Sequence, residues 1–384
     1  MIPLKKEWIA PVIFLFTISS FFNTTSLKLF VTKLKSNWAL LLFFSVALMG
    51  LLYSENLEVG GKNIETKLSL LIFPIAFSIA NIDFNIVKKK IFIAFLEGTL
   101  VAVFFGICNV IFNYFQTDTL SLFYGKVAYF NHNSYLSLYI NFSIILLYSL
   151  VLFKKDNLNI SKHIAVLLIL FLSIIIGLLM SKTGLFCLIL IHTINILIWV
   201  YKQKKHVIGV TILCSMLLFF VSLYYYSSEF KQRIDEVSLS VTKTNNRNTS
   251  TNARFSTWQS SLKIISHNLW LGVGIGDVQS HLDMAHLKNG DLILYKKHLN
   301  AHNQFLQTGI ATGIFGVLLL LIILFTLFYK AIISKNNALI LFLLIVFINL
   351  LFESMLEKQE GVIFIGFFIA LFSILQSPKQ TSIS

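Results

Sequence analysis

The chain has 384 residues, of which 56% are hydrophobic and only 12% charged, with a mean hydropathy of +0.79. Ordinary soluble domains carry about twice that charge fraction, which excludes both a water-soluble globule and a disordered chain. A net charge of +14 would raise nucleic acid as a partner in a soluble protein. Here most lysines sit in short connections between apolar runs, where they set topology instead.

Apolar runs occur near 8–23, 37–53, 67–82, 91–115, 134–153, 164–180, 185–201, 207–226, 304–329, 337–353 and 360–376. A membrane helix needs about 20 residues, so the chain reads as an all-α, polytopic transmembrane bundle of about 10–12 spans. The connections holding Lys88 to Lys90, Lys154 with Lys155 and Lys162, Lys202 with Lys204 and Lys205, and Lys330 with Lys335 are the basic ones. Their regular alternation puts them in the cytoplasm and the stretches 116–133, 181–184, 227–303 and 354–359 on the other side. The N-terminal region resists this scheme, because Lys28, Lys33 and Lys35 follow Lys5 and Lys6 after a single apolar run. One early segment is therefore not a simple span. No cleavable signal peptide is expected, since the first run lacks a small-residue cleavage site. Cys108, Cys187 and Cys214 lie inside apolar runs, so neither a disulfide framework nor a zinc site is expected. The 37 phenylalanines carry no functional signal.

Three regions follow: membrane helices over 1–226, a large outer loop over 227–303 and membrane helices over 304–384. The loop holds every arginine of the chain (Arg233, Arg247, Arg254) and five of its nine histidines. Its net charge of +3 runs against the positive-inside bias, so something outside attracts positive charge. Within it, Glu229–Leu239 reads as a short helix and Thr242–Asn252 as a flexible connector. Phe255, Trp258, Leu262 and Ile265 recur at helical spacing, which predicts an amphipathic helix over Arg254–His267 lying on the membrane surface. The glycines between Leu271 and Asp277 end that helix, and Asp277 is placed to cap another over Val278–Leu287.

Several constellations have both a bland and a chemical reading. His302, at the mouth of the ninth run, is either an interfacial histidine bonded to lipid or backbone, or a general base. Gly309, Gly313 and Gly316 behind it read first as close helix packing. Arg254 either snorkels to headgroups or offers a fixed fork to diphosphate oxygens. Lys182, in the tight turn Ser181–Gly184, is an anchor or a phosphate ligand. The His281, Asp283 and His286 cluster reads as solvated side chains on an exposed helix. Glu97 and His192, inside apolar runs, read as structurally paired. Glu353 and Glu357 flank the same compartment as His302 and are candidates to orient it or to bind a sugar. The Gly272, Gly274 and Gly276 triplet follows a helix with no strand before it, so it is not a nucleotide loop.

Four pieces in chain order resemble the O-antigen ligase and polymerase family of bacterial membrane glycosyltransferases. Arg254 precedes Trp258 by four positions, and the segment 268–276 (NLWLGVGIG) is similar to the family's LGVG turn. His302 and Asn303 are followed, after nine residues, by Gly313-x-x-Gly316. The long loop precedes a glycine-rich span. These pieces cover about 160–320, while the first 150 residues match only as a hydropathy profile. The resemblance implies a glycosyltransferase C-like helical fold and a donor glycan linked by diphosphate to undecaprenol. It implies an active site on the periplasmic face of the bacterial inner membrane, and an acceptor hydroxyl on lipid A–core (ligases) or on another repeat unit (polymerases). His302 looks like the family's essential histidine and Arg254 like its loop arginine, the two catalytic candidates. Lys182 stands where a second family arginine usually follows Ser; it keeps the charge and loses the fork. Lys182, Arg247, Trp258 and Asn303 are the substrate-binding candidates.

The implied chemistry fits these residue types. The donor carries its own leaving group, so neither a metal nor another cofactor is needed. The site has to stabilise charge on the departing diphosphate, which suits Arg254 and Lys182, and take a proton from the acceptor, which suits His302. Direct attack inverts the anomeric centre. The expected partners are the lipid-linked donor, the glycan or lipid A–core acceptor and membrane lipids, with no nucleic acid. The histidine signature favours a ligase over a polymerase. A lipid-linked glycan flippase is the rival from another class, and it leaves the arginine-collecting loop unexplained.

Overall fold

A computed structural model describes residues 9–117, 127–152, 161–204 and 250–376, with isolated positions between 207 and 235. It is all-α: the described residues hold no strand, only an isolated bridge between Thr24 and Ala80. Arg233, Arg247, most of the predicted 229–239 helix and the 242–249 part of the predicted connector lie outside the described residues, as does most of the 207–226 run. The chain divides into two compact units, Met1–Ile93 with Arg254–Ser384, and Ala94–Ala253.

The first unit begins with α1 (Ile9–Ser20), α2 (Leu27–Ser36), α3 (Trp38–Leu51), α4 (Leu57–Lys67) and α5 (Ser69–Ile79). α6 (Phe84–Thr117) starts here and continues into the second unit, which also holds α7 (Asn133–Leu147), α8 (Lys162–Leu179) and α9 (Lys182–Gln203). α10 (Ser250–His267) leads back to the first unit, with α11 (Val278–Lys288), α12 (Leu292–Lys297), α13 (Gln304–Ile333), α14 (Asn337–Phe352) and α15 (Gln359–Leu375). Residues 254–303 of the long loop thus belong to the first unit rather than forming a unit of their own.

Four described helices, α6, α8, α9 and α13, are long and apolar enough to cross a membrane, or five segments if the α2–α3 pair is one broken span. α1, α14 and α15 are shorter apolar helices. The structure therefore gives a multi-pass helical protein, with fewer full-length helices among the described residues than the expected 10–12 spans. Helix breaks account for part of the difference: α2 and α3 meet at Asn37 with a bend of 71°. Lys28, Lys33 and Lys35 all belong to α2, a separate short helix capped by Ser26.

In the first unit α13 packs on α3 and α14, and α15 packs on α5. Phenylalanine pairs join α15 to its neighbours: Phe73, Phe77 and Phe367 meet edge-on or stacked between α5 and α15, and Phe342 of α14 packs with Phe364, Phe368 and Phe372. Edge-to-face contacts of this kind add about 0.5–1.5 kcal/mol each beyond area burial. In the second unit polar side chains between helices are paired internally. Asn141 donates to the Gly184 carbonyl (3.0 Å), and His192 sits between the Tyr148 hydroxyl (2.9 Å) and Ser173 Oγ (3.0 Å). The structural reading of His192 holds. Glu97, by contrast, is exposed on α6.

Candidate active site

The site grows from a break in a helix. α13 is interrupted at Gly313, whose φ of 63° and ψ of −158° are non-helical. A carbonyl and N–H freed by such a break need partners, and the 269–274 turn supplies them. Val273 N–H donates to the Ile310 carbonyl (2.8 Å), Gly274 N–H to Ala311 (3.1 Å), and Ile314 N–H to Leu269 (2.8 Å). Gly272 and Gly274 adopt φ of 71° and 99°, which L side chains rarely reach. A Cβ on Gly313 would run into the Trp270 carbonyl. The glycine spacing thus marks a backbone-to-backbone docking rather than only the close helix packing read from it. Gly309 does touch a neighbouring helix, through Ile265. Asp277 precedes α11 without capping it; its carboxylate instead accepts the N–H groups of Glu55 (2.7 Å) and Asn56 (3.0 Å).

α10 begins at Ser250, four residues before its predicted start, so Ser250–Asn252 are helical rather than connector. Its buried face is Thr257, Ser260, Ser261 and Ile264, while Phe255 and Leu262 of the predicted apolar stripe are exposed. Small hydroxylated side chains can line a buried face because Ser and Thr satisfy themselves on the helix; Ser261 donates to the Thr257 carbonyl (2.7 Å). Trp258 bridges to the next element: its indole N–H donates to the Ala301 carbonyl (2.9 Å), and its ring lies against Phe352.

That bond fixes the residue before His302. Ala301 N–H is held in turn by Gln307 Oε1 (3.0 Å), and His302 N–H donates to Asn300 Oδ1 (3.1 Å). His302 has φ of 45°; a non-glycine residue held there costs on the order of 1–3 kcal/mol, and such strain clusters at functional positions. Asn303 caps α13, its Oδ1 accepting from Phe305 N–H (2.9 Å) and Leu306 N–H (3.1 Å). Its side-chain oxygen is engaged by the helix start.

The imidazole meets a carboxylate. His302 Nδ1 lies 3.1 Å from Glu353 Oε1, and Arg254 places a guanidinium nitrogen 3.7 Å from Glu353 Oε2. Glu353 therefore sits between the two predicted catalytic residues, each about one-quarter exposed (25% for His302, 27% for Arg254). A carboxylate only accepts, so Nδ1 carries the proton in this contact and Nε2 is the basic nitrogen. Burial lowers the Arg254 pKa from its ordinary value, and the Glu353 charge opposes that shift. Arginine stays protonated throughout.

Beside Glu353 lies a buried network that the sequence does not announce. The residues after it form a 3-10 turn, Met355–Glu357. Glu357 pairs with Lys67 of α4 at 2.7 Å, with side-chain exposures of 16% and 5%. Gln304 donates to Glu357 (3.1 Å) and accepts Leu356 N–H (2.7 Å). Glu357, one of the two carboxylates flanking the His302 compartment, is thus a brace, and Glu353 is the one that reaches the histidine.

Lys182 lies in the second unit as the first residue of α9, behind the cap formed by Ser181 Oγ and Gly184 N–H (3.1 Å); its Nζ donates to Thr251 Oγ1 (3.3 Å). The set-aside histidine cluster needs a correction. His286 is completely buried, not solvated, and neither ring nitrogen has a hydrogen-bond partner among the described residues. His281 and His298 are exposed, and His298 pairs with Asp283 (2.7 Å).

No curated protein matches the chain. Residues 165–321 match the family model described as O-antigen ligase, a stretch that includes Lys182, Arg254, Trp258, the glycine turn, His302 and Gly313. This segment, less than half of the chain, is similar to the O-antigen ligase family.

Proposed function

We propose that the chain transfers a glycan from an undecaprenyl-diphosphate donor to an acceptor hydroxyl on the periplasmic face of the bacterial inner membrane. The observation that carries this reading is the arrangement of His302, Glu353 and Arg254, two of them joined at 3.1 Å and the third at 3.7 Å. His302 Nε2 takes the acceptor proton as the acceptor oxygen bonds to the anomeric carbon. The bond from that carbon to the diphosphate breaks with its electron pair, inverting the centre. Arg254 has no partner among the described residues besides Glu353, so its remaining N–H donors are free to meet diphosphate oxygens. Lys182 and Arg247 are proposed to add charge for the same anion. Trp258 and Asn303 serve through the loop they hold. No step requires a metal or another cofactor.

The favoured acceptor is lipid A–core, which makes the chain a ligase; the alternative is a polymerase, with the same chemistry and a second lipid-linked repeat as acceptor. Purified protein with a lipid-diphosphate glycan, EDTA and each acceptor in turn separates these. Glycan on lipid A–core establishes the ligase, and lengthening on the lipid carrier establishes the polymerase. Movement of the glycan lipid across a vesicle membrane without either product overturns the enzyme reading in favour of a flippase.

A further inference from the structure

Two lysines at one end of the first unit have no part in this chemistry. Between the α2–α3 bend and the last turns of α13 and α15 lies a cavity of about 150 Å³, with Lys35, Asn37, Trp38, Leu327, Lys330 and Ser373 in its wall. A lone water needs roughly 10–15 Å³ by this measure, so the space suits a polar group of several heavy atoms. His302 lies just before α13 and Lys330 lies in its last turn. At about 1.5 Å per residue these positions are roughly 40 Å apart along the helix. The cavity and the candidate active site thus occupy opposite ends of a span.

The lining has the character of an anion site. Lys35 and Lys330 have no carboxylate partner among the described residues. α3 starts at Trp38 without a side-chain cap, while the Asn37 carbonyl takes the N–H groups of Leu40 and Leu41. Its leading N–H groups therefore present the positive end of a helix dipole. Against them stand the carbonyl ends of α13 and α15, each equivalent to about half a charge; two full ammonium charges and the α3 N-terminus outweigh these. A further feature narrows the ligand. Asn37 is 2% exposed, and its Oδ1 has no hydrogen-bond partner among the described residues. An orphaned buried acceptor calls for a donor, such as a hydroxyl. Trp38 is half exposed at the same place, an amphipathic ring of the kind that settles at headgroup level.

We propose that this cavity binds the headgroup of an anionic phospholipid whose phosphodiester carries a hydroxylated substituent, as in phosphatidylglycerol, on the membrane face opposite His302. The phosphate meets Lys35, Lys330 and the start of α3; a headgroup hydroxyl donates to Asn37 Oδ1; Trp38 and Leu327 border the glycerol ester region. Basic pockets between membrane helices are known settings for such headgroups.

The test is native mass spectrometry of the full chain in neutral detergent, with Tm in parallel. The additives are dioleoyl phosphatidylglycerol, dioleoyl phosphatidic acid, dioleoyl phosphatidylcholine and the water-soluble headgroup glycerophosphoglycerol. Phosphatidylglycerol should be retained and raise Tm, while phosphatidylcholine and glycerophosphoglycerol do neither. Lys35→Gln with Lys330→Gln should weaken retention roughly ten- to thirty-fold. Asn37→Ala should erase the preference for phosphatidylglycerol over phosphatidic acid. Should the lysine variant not fold, Ser373→Leu keeps both charges, fills the cavity and should abolish retention. Equal retention of phosphatidylcholine, protection by glycerophosphoglycerol alone, or unchanged binding in both the lysine and the Ser373 variants would overturn the proposal.

Discussion

Glu353 Oε1 lies 3.1 Å from His302 Nδ1, joining the residue that ends α14 to the residue before the cap of α13, 51 positions earlier. A carboxylate on one imidazole nitrogen fixes the ring and the tautomer, and leaves the other nitrogen basic. Because the second Glu353 oxygen faces Arg254, one carboxylate sets the positions of both the proposed base and the proposed diphosphate ligand.

Replacing Glu353 with Gln should lower transfer by roughly 10- to 100-fold, the usual cost of losing an orienting partner. In a double-mutant cycle with His302→Ala, the Glu353→Gln loss should largely vanish, since residues that act as a unit are not additive. Rates from purified protein check this; strictly additive losses would separate Glu353 from the histidine.

Arg254→Lys keeps the charge and removes the fork. It should retain more activity than Arg254→Ala and show its defect in the donor rather than the acceptor dependence. Initial rates over a grid of both substrates read this directly.

Gly313→Ala places a Cβ against the Trp270 carbonyl at a φ of 63°. Strain and collision together should cost about 1–3 kcal/mol or more and lower Tm. Gly61, in α4, has nothing within 4 Å of the same added atom; Gly61→Ala should raise stability by about 0.5–1 kcal/mol.

Breaking the Lys67–Glu357 pair by Glu357→Leu leaves a buried ammonium uncompensated, at a cost of about 3–5 kcal/mol. Adding Lys67→Met should recover most of it, because an apolar pair of similar size needs no desolvation. Chemical or thermal unfolding of the two variants in detergent measures the recovery.

The His286 pKa is lowered by burial, with Asp291 and Asp283 opposing. The unfolded chain therefore binds the proton more readily, and stability rises with pH. The contribution is complete above the ordinary histidine pKa of about 6.5 and is lost as pH falls through the lowered value. Tm should drop between pH 7.5 and 5, and His286→Leu should flatten that part of the profile.

Much of this was legible from residues alone, for local reasons. Arg254, Trp258, the glycine turn and His302 carry a recognisable order along the chain, and the long apolar runs give an all-helical membrane protein. What stayed hidden depends on partners distant in sequence. Nothing near Lys67 points to Glu357, 290 positions on, and Glu353 and Glu357 look alike until one is found on His302 and the other on a lysine. Polarity misled at His286, because a polar helix face pattern does not reveal which side another helix covers. Spacing misled at Gly313: three glycines at intervals of four and three look like helix packing, whereas the requirement at the middle one is its positive φ.

The measurement that tests the central claim most directly is the single-turnover transfer rate of His302→Ala, made beside donor binding by the same protein in detergent. The expected result is a rate lower by about 10²–10⁴-fold with donor affinity retained, since Arg254 and its charge remain. A variant that transfers glycan at the full rate would contradict His302 as the base and with it the proposed mechanism.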